Sequence, residues 1–319
     1  MSGISVNRQA MRIVDKLLSD PEYYRISVDH LPSGATVIDT GLNVEGGLIT
    51  GLKLTEIAMG GLGKAKLSQK DYGGLTLPTI FVSTDYPAIS LLGSQLAGWG
   101  VKTESFFCMA SGPARALALK PKKVFEKIGY RDGSDVAVLI LETNKIPGDD
   151  VAKYVAEKCG VKSEDVFLVL TTTNSTAGSV QVSGRIAEVG MYRLDYLGFD
   201  PKKVVFGTGS APIMPIHPDE RVTLAREEDA LIYGGSTAYM VDFEEDSKLK
   251  ELVDKAPAST SAYYGRTSYE TLKEVNFDWS KLDPAFFAPG SICVFNRKTG
   301  SSFASGKTDY DMLKKSLMM

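Results

Sequence analysis

Histidine and cysteine are scarce in this chain: 319 residues contain only His30, His217, Cys108, Cys159 and Cys293. With no CxxC or HxxxH spacing, the nitrogen and sulfur sets that hold zinc are missing, and no catalytic transition metal is expected. Two histidines also make a Ser/His triad a poor fit. An odd number of widely separated cysteines argues against a disulfide framework and suits a reducing cytoplasm. No stretch approaches the roughly 18 apolar residues that span a bilayer. Residues 1–20 do not read as a signal peptide, because Arg8, Arg12, Asp15 and Lys16 interrupt any apolar run. A formal charge of -3 leaves no overall basic field for nucleic acid. These absences predict a soluble cytoplasmic protein with neither nucleic acid nor membrane as a partner.

What is present is a large apolar reserve. Hydrophobic residues make up 43% of a chain longer than the usual single domain, which predicts two packed lobes. Ser5 caps a helix whose Val6, Ala10, Ile13, Val14 and Leu17 recur at helical spacing until Pro21. Strands are expected at 24–28 and 35–39, a buried helix at 48–59 ended by Gly60-Gly61, then a strand at 75–82, a helix at 88–97 and a strand at 101–108. Helix 122–128, strand 136–141, helix 149–158 and strand 166–170 continue the alternation. This pattern predicts an α/β fold with helices covering the sheets. Beyond Asp200-Pro201, Gly207-Thr-Gly-Ser-Ala-Pro212 reads as a glycine-rich loop, 295–303 as a hairpin and 310–317 as a closing helix. The expected division puts residues 86–204 in one lobe and joins 1–85 with 205–319 in the other.

Several motifs invite chemistry. Gly60-Gly-Leu-Gly-Lys-Ala65 fails as a nucleotide P-loop, since Ala58 and Ala65 stand where a glycine and a hydroxyl residue are needed. Its amides and Lys64 could still bind another anion; the plainer reading is a helix stop. Gly207-Thr-Gly209 begins a dinucleotide fingerprint that Pro212 breaks, so a nicotinamide cofactor is not supported. Ala110-Ser-Gly-Pro-Ala-Arg-Ala116 follows a strand and opens a short helix, which lets Ser111 and Arg115 face a ligand or form an ordinary turn. The small polar run from Thr171 leads into a helix carrying Arg185 and Glu188, with the poor helix former Gly184 just before them. Three apart, guanidinium and carboxylate can touch. On a helix surface such a pair contributes only about 0.2 to 0.5 kcal/mol. An apolar stripe of Ile186, Val189, Leu194 and Leu197 favours instead a helix start that faces a cleft.

Long stretches in order resemble methenyltetrahydromethanopterin cyclohydrolase: Gly60-Gly-Leu-Gly, Phe107-Cys-Met-Ala-Ser-Gly-Pro-Ala-Arg-Ala-Leu, Thr176-Ala-Gly-Ser-Val-Gln-Val-Ser-Gly-Arg-Ile-Ala-Glu-Val-Gly, Gly207-Thr-Gly-Ser-Ala-Pro-Ile, and Tyr263-Tyr-Gly to Val275-Asn-Phe-Asp. The resemblance implies reversible hydrolysis of the methenyl carbon bridging two nitrogens of a reduced pterin, giving the N5-formyl compound in one-carbon metabolism. It also implies two α/β lobes with the pterin in an inter-lobe cleft, a homotrimer, and tetrahydromethanopterin as substrate with no permanently bound cofactor.

That reaction suits the residues. A methenyl bridge is a delocalised amidinium cation, already electrophilic, so it needs a positioned water and a base. By the resemblance Glu188 is that base and Arg185 tunes it, burial and the guanidinium acting in opposite directions. Ser179, Gln181 and Ser183 form the candidate polar wall, with Ser111 and Arg115, toward the pterin or its tail; Lys64 and Arg115 would screen the tail's phosphate and carboxylates. Two other readings stay open: a pterin or folate carrier without catalysis, and an anion-binding metabolic enzyme built on Gly60 to Lys64. Methanopterin, sarcinapterin and folate are not separated by the residues.

Overall fold

A computed structural model describes residues 3–318; Met1, Ser2 and Met319 lie outside the described residues, including the first two positions of the 1–20 segment. Twelve strands form among the described residues: β1 (Ser27–His30), β2 (Thr36–Asp39), β3 (Gly63–Asp71), β4 (Thr76–Thr84), β5 (Trp99–Lys102), β6 (Phe107–Ser111), β7 (Ala137–Glu142), β8 (Val166–Thr171), β9 (Val204–Pro212), β10 (Ser236–Val241), β11 (Ser291–Asn296) and β12 (Ser302–Gly306). They make two six-stranded mixed sheets with helices packed on them, an α/β fold as expected. No helix among the described residues is long and apolar enough to cross a membrane.

The first compact unit comprises the residues up to Lys64 together with Ala88–Gln181. Its sheet runs β1-β2-β8-β7-β6-β5, with β2, β8 and β7 parallel. The sequences AVLILE of β7 and VFLVLT of β8 are almost continuously apolar because both faces are buried. One face packs Ala10, Ile13, Val14 and Leu17 of the Val6–Ser19 helix with Val138, Ile140 and Val169. The other packs Leu139, Leu141 and Leu168 with Val151, Ala152 and Val155 of the Asp149–Cys159 helix. Burial pushes the Cys108 and Cys159 thiols up to about 12, so both are inert core residues.

The second unit comprises Ala65–Pro87 and the chain from Val182 onward. Its sheet runs β12-β11-β10-β9-β4-β3. Buried and more exposed residues alternate along β10 and β11, so only one face is covered. The helices Ile186–Tyr196 and Glu220–Gly234 pack against this sheet.

This division departs from the expected lobes of 1–85 with 205–319 and 86–204. The N-terminal segment joins the central block because β2 pairs with β8, Val37 opposite Leu168, a long-range pairing that local periodicity does not encode. The helix carrying Glu188 falls with the C-terminal segments. Three local expectations also change. The segment expected as one strand at 101–108 is a hairpin of β5 and β6. The glycine-rich stretch 207–212 lies within β9, not in a loop. The edge strand β3 and the central strand β10 have no counterpart among the expected elements. The 295–303 hairpin and the helices Lys122–Ile128 and Tyr310–Leu317 form as expected.

A buried carboxyl ties two helices of the second unit. Asp229, inside the Glu220–Gly234 helix, accepts from Ser268 N at 2.8 Å and Ser268 Oγ at 2.7 Å at the start of the Ser268–Glu274 helix. Burial raises its pKa from 3.8 to about 7, only partly offset by hydrogen bonds from Ser316 and Ser268. Between those values the folded chain holds a proton that the unfolded chain has released. This contribution to stability is therefore full below about pH 4 and shrinks toward pH 7, by about 1.4 kcal/mol per pH unit. Denaturant titrations of Asp229→Asn over that range are expected to lack this decline; an unchanged slope would refute it.

Candidate active site

The 171–190 stretch contains two helices instead of a polar wall leading into one. Thr176–Ser183 is the first and Ile186–Tyr196 the second, with Gly184 in the break and Arg185 in the N-cap position. Ser175 accepts from Gly178 N at 3.0 Å and so starts the first helix. Helical spacing then separates the expected wall: Ser179 and Ser183 share a face, while Gln181 points away from it. All three are buried. Ser183 Oγ donates to the Pro212 carbonyl at 2.9 Å, so its hydroxyl joins this turn to β9.

Arg185 and Glu188 do meet. Arg185 Nη1 lies 3.5 Å from Glu188 Oε2, with only 11% and 7% of their side chains exposed. This overturns the reading of a surface ion pair, whose charges would stand in water. A buried carboxylate must be offset, and here a guanidinium and the first turn of a helix both supply positive potential. The helix start is seated by β9 and β10. A Cβ at Gly209 would fall 2.9 Å from Ile186 Cγ2 and 3.1 Å from Ala187 N, so only glycine admits this approach. Tyr239 Oη donates to the Ala187 carbonyl at 2.6 Å, one residue before Glu188. Gly190 leaves room for that hydroxyl, since a Cβ there would meet it at 2.4 Å. Burial pushes the Tyr239 phenol far up, and the charge of Glu188 adds to the rise, so it stays a donor.

The first unit disposes of its candidates differently. Arg115 is 0% exposed. Its Nη1 donates to the carbonyls of Leu92, Gly93 and Ser94 at 3.1, 3.2 and 3.1 Å, and its Nε to Lys120 O at 2.8 Å. Those carbonyls end the Ala88–Gln95 π-helix, so the guanidinium is a buried cap and not a tail contact. Ser111 closes β6 opposite Ile140, and is buried. Lys64, the second residue of β3, is exposed, with Nζ 3.9 Å from Glu56 Oε1. Gly60 and Gly61 adopt left-handed φ of 67° and bond back to Ile57 O and Glu56 O, so the glycines stop the Leu48–Ala58 helix. That favours the helix stop over an anion loop. Among the described residues, no three His, Cys, Asp or Glu side chains form a metal-binding group.

The sequence that builds this geometry matches the family profile described as "Cyclohydrolase (MCH)" over residues 5–317. The chain belongs to the methenyltetrahydromethanopterin cyclohydrolase family. It is 42% identical to the methenyltetrahydromethanopterin cyclohydrolase of Methanothermobacter marburgensis, over 98% of this chain and 99% of that relative. The Methanocaldococcus jannaschii and Methanocella arvoryzae proteins of the same name are each 43% identical, over 98% of both chains.

Of the sequence-derived candidates in the second unit, the structure brings Arg185 and Glu188 together. Tyr239 and Tyr192, whose phenols the charge of Glu188 pushes upward, are not among those candidates. Tyr192 has a legible signal: it stands four residues after Glu188, on the same helix face. Tyr239 has none, because its contact with Ala187 spans 52 residues.

Proposed function

We propose that this chain hydrolyses N5,N10-methenyl-tetrahydromethanopterin reversibly to the N5-formyl compound, with Glu188 as the base that activates water and with no metal or permanently bound cofactor. The observation that carries the reading is a carboxylate 5% exposed, held beside Arg185 at the first turn of a helix. The family names of the relatives supply the substrate class. The homotrimer and the cytoplasmic setting rest on the resemblance.

The chemistry follows from charge. The methenyl carbon lies between two nitrogens that share one positive charge, so it accepts water without further activation. Glu188 takes one proton as the oxygen adds, which leaves a neutral hydroxy adduct. The carboxylic acid then returns a proton to N10 as the C–N10 bond breaks, and the hydroxyl proton leaves as the formyl C=O forms. One water is consumed and one proton released overall. Arg185, with Nη1 3.5 Å from Glu188 Oε2, balances the carboxylate while it is ionised.

Mixing the protein with methenyl-tetrahydromethanopterin and, separately, with methenyl-tetrahydrofolate while following the conjugated chromophore tests this reading. Loss of absorbance with catalytic amounts of protein is expected for the first. Stoichiometric binding without loss would make the chain a carrier. Arg185→Ala is expected to lower the rate and displace its pH profile, because the base loses its positive neighbour. An unchanged profile would reduce Arg185 to a structural partner.

A further inference from the structure

The Ile186–Tyr196 helix holds an aromatic side chain that the proposed mechanism does not use. Tyr192 follows Glu188 by four residues and Arg185 by seven, so the three form one stripe along the helix. Helical side chains lean toward the N-terminus, which carries the Tyr192 ring over the turn that bears Glu188. The ring is half-buried. Among the described residues no hydrogen bond reaches its hydroxyl and no aromatic or cationic group packs on its face. Its neighbour one turn on differs, since the Arg193 guanidinium already lies 5.6 Å from the Tyr196 ring.

Two carboxylates, Glu188 and Asp195, stand near Tyr192, and Arg185 pairs with the first of them. Burial, then Glu188, then Asp195 and Tyr196 all push its phenol upward, so the ring is neutral and stands among carboxylates. Arg193, on the same helix, directs its guanidinium instead to the Lys255 carbonyl at 2.9 Å and to Tyr196. An unoccupied aromatic face beside a buried carboxylate is a seat for a flat cation: the ring quadrupole attracts positive charge and the carboxylate adds to it. We infer that Tyr192 is a third substrate-contacting residue, whose ring face packs on the amidinium cation of the methenyl substrate and discriminates it from the neutral formyl product. This rests on the proposed reaction.

The discrimination is measurable because the two directions use substrates of different charge. A cation–π contact changes an affinity by about 2- to 30-fold. Tyr192→Leu keeps apolar bulk but removes the π face. It is expected to raise KM for the methenyl cation by about tenfold and to leave KM for the formyl compound in the reverse direction within about twofold. Tyr192→Phe keeps the face, so both constants should stay near those of the unaltered chain. Equal changes in both directions for Tyr192→Leu, or none in either, would overturn the inference. So would a Tyr192→Phe variant as impaired as Tyr192→Leu, which would assign the role to the hydroxyl. Should the unaltered chain fail to hydrolyse the methenyl compound, the proposed reaction falls on its own. Titrating that chromophore against the unaltered and Tyr192→Leu chains would then still decide the contact, equal affinities refuting it.

Discussion

Glu188→Gln is expected to lower turnover by about two orders of magnitude or more, with folding and binding of the methenyl compound largely retained. The amide keeps the size and hydrogen-bonding reach of the acid but cannot accept the proton that water must lose. The amide oxygen can still accept from the Arg185 guanidinium, which limits the cost of leaving that buried cation without its counter-charge. Glu188→Asp is the sharper companion, because it keeps the base and withdraws it by one methylene; a rate between those of the unaltered chain and the amide is expected. Near-normal turnover of Glu188→Gln in a stopped-flow or steady-state assay would take the base role from this residue.

Arg115→Met is expected to destabilise the chain by about 3 kcal/mol or more while leaving KM for the substrate unchanged in the folded protein. The methionine fills much of the same volume, so the cost comes from hydrogen bonding. Four main-chain carbonyls, those of Leu92, Gly93, Ser94 and Lys120, lose their donor. Each buried acceptor left without a partner costs about 1 to 3 kcal/mol, moderated where it retains another bond, as Ser94 O does from Gly112 N. Loss of the guanidinium's position beside the Phe125 ring, 5.7 Å away, adds a smaller part. Denaturant unfolding measures the first effect and substrate kinetics the second. A raised KM with unaltered stability would restore Arg115 to the ligand-binding role that its motif suggests.

These two arginines show where residue patterns suffice and where they fail. Arg185 and Glu188 are joined by helical spacing, so their contact is legible in the order of residues alone. Arg115 sits in a motif that equally suits a ligand-facing turn, and only the position of the Ala88–Gln95 helix reveals what it binds. Gly207 and Gly209 likewise read as a loop, because glycine is poor in strands. They lie in β9 since Tyr239 and the start of the Ile186–Tyr196 helix press against that strand too closely for a side chain.

The chain's own residues thus determined the α/β class, the strands β7 and β8 with a helix between them, the pairing of Arg185 with Glu188 and the scarcity of nitrogen and sulfur metal ligands. Each of these follows from composition or from spacing within one element. Tertiary structure alone decided that β2 joins β8, that the Glu188 helix belongs with the C-terminal segments, and that Ser183 and Arg115 serve main-chain carbonyls. It also decided that the Glu188 carboxylate is buried. Those outcomes depend on contacts between residues tens to more than a hundred positions apart, whose partners no local period can name.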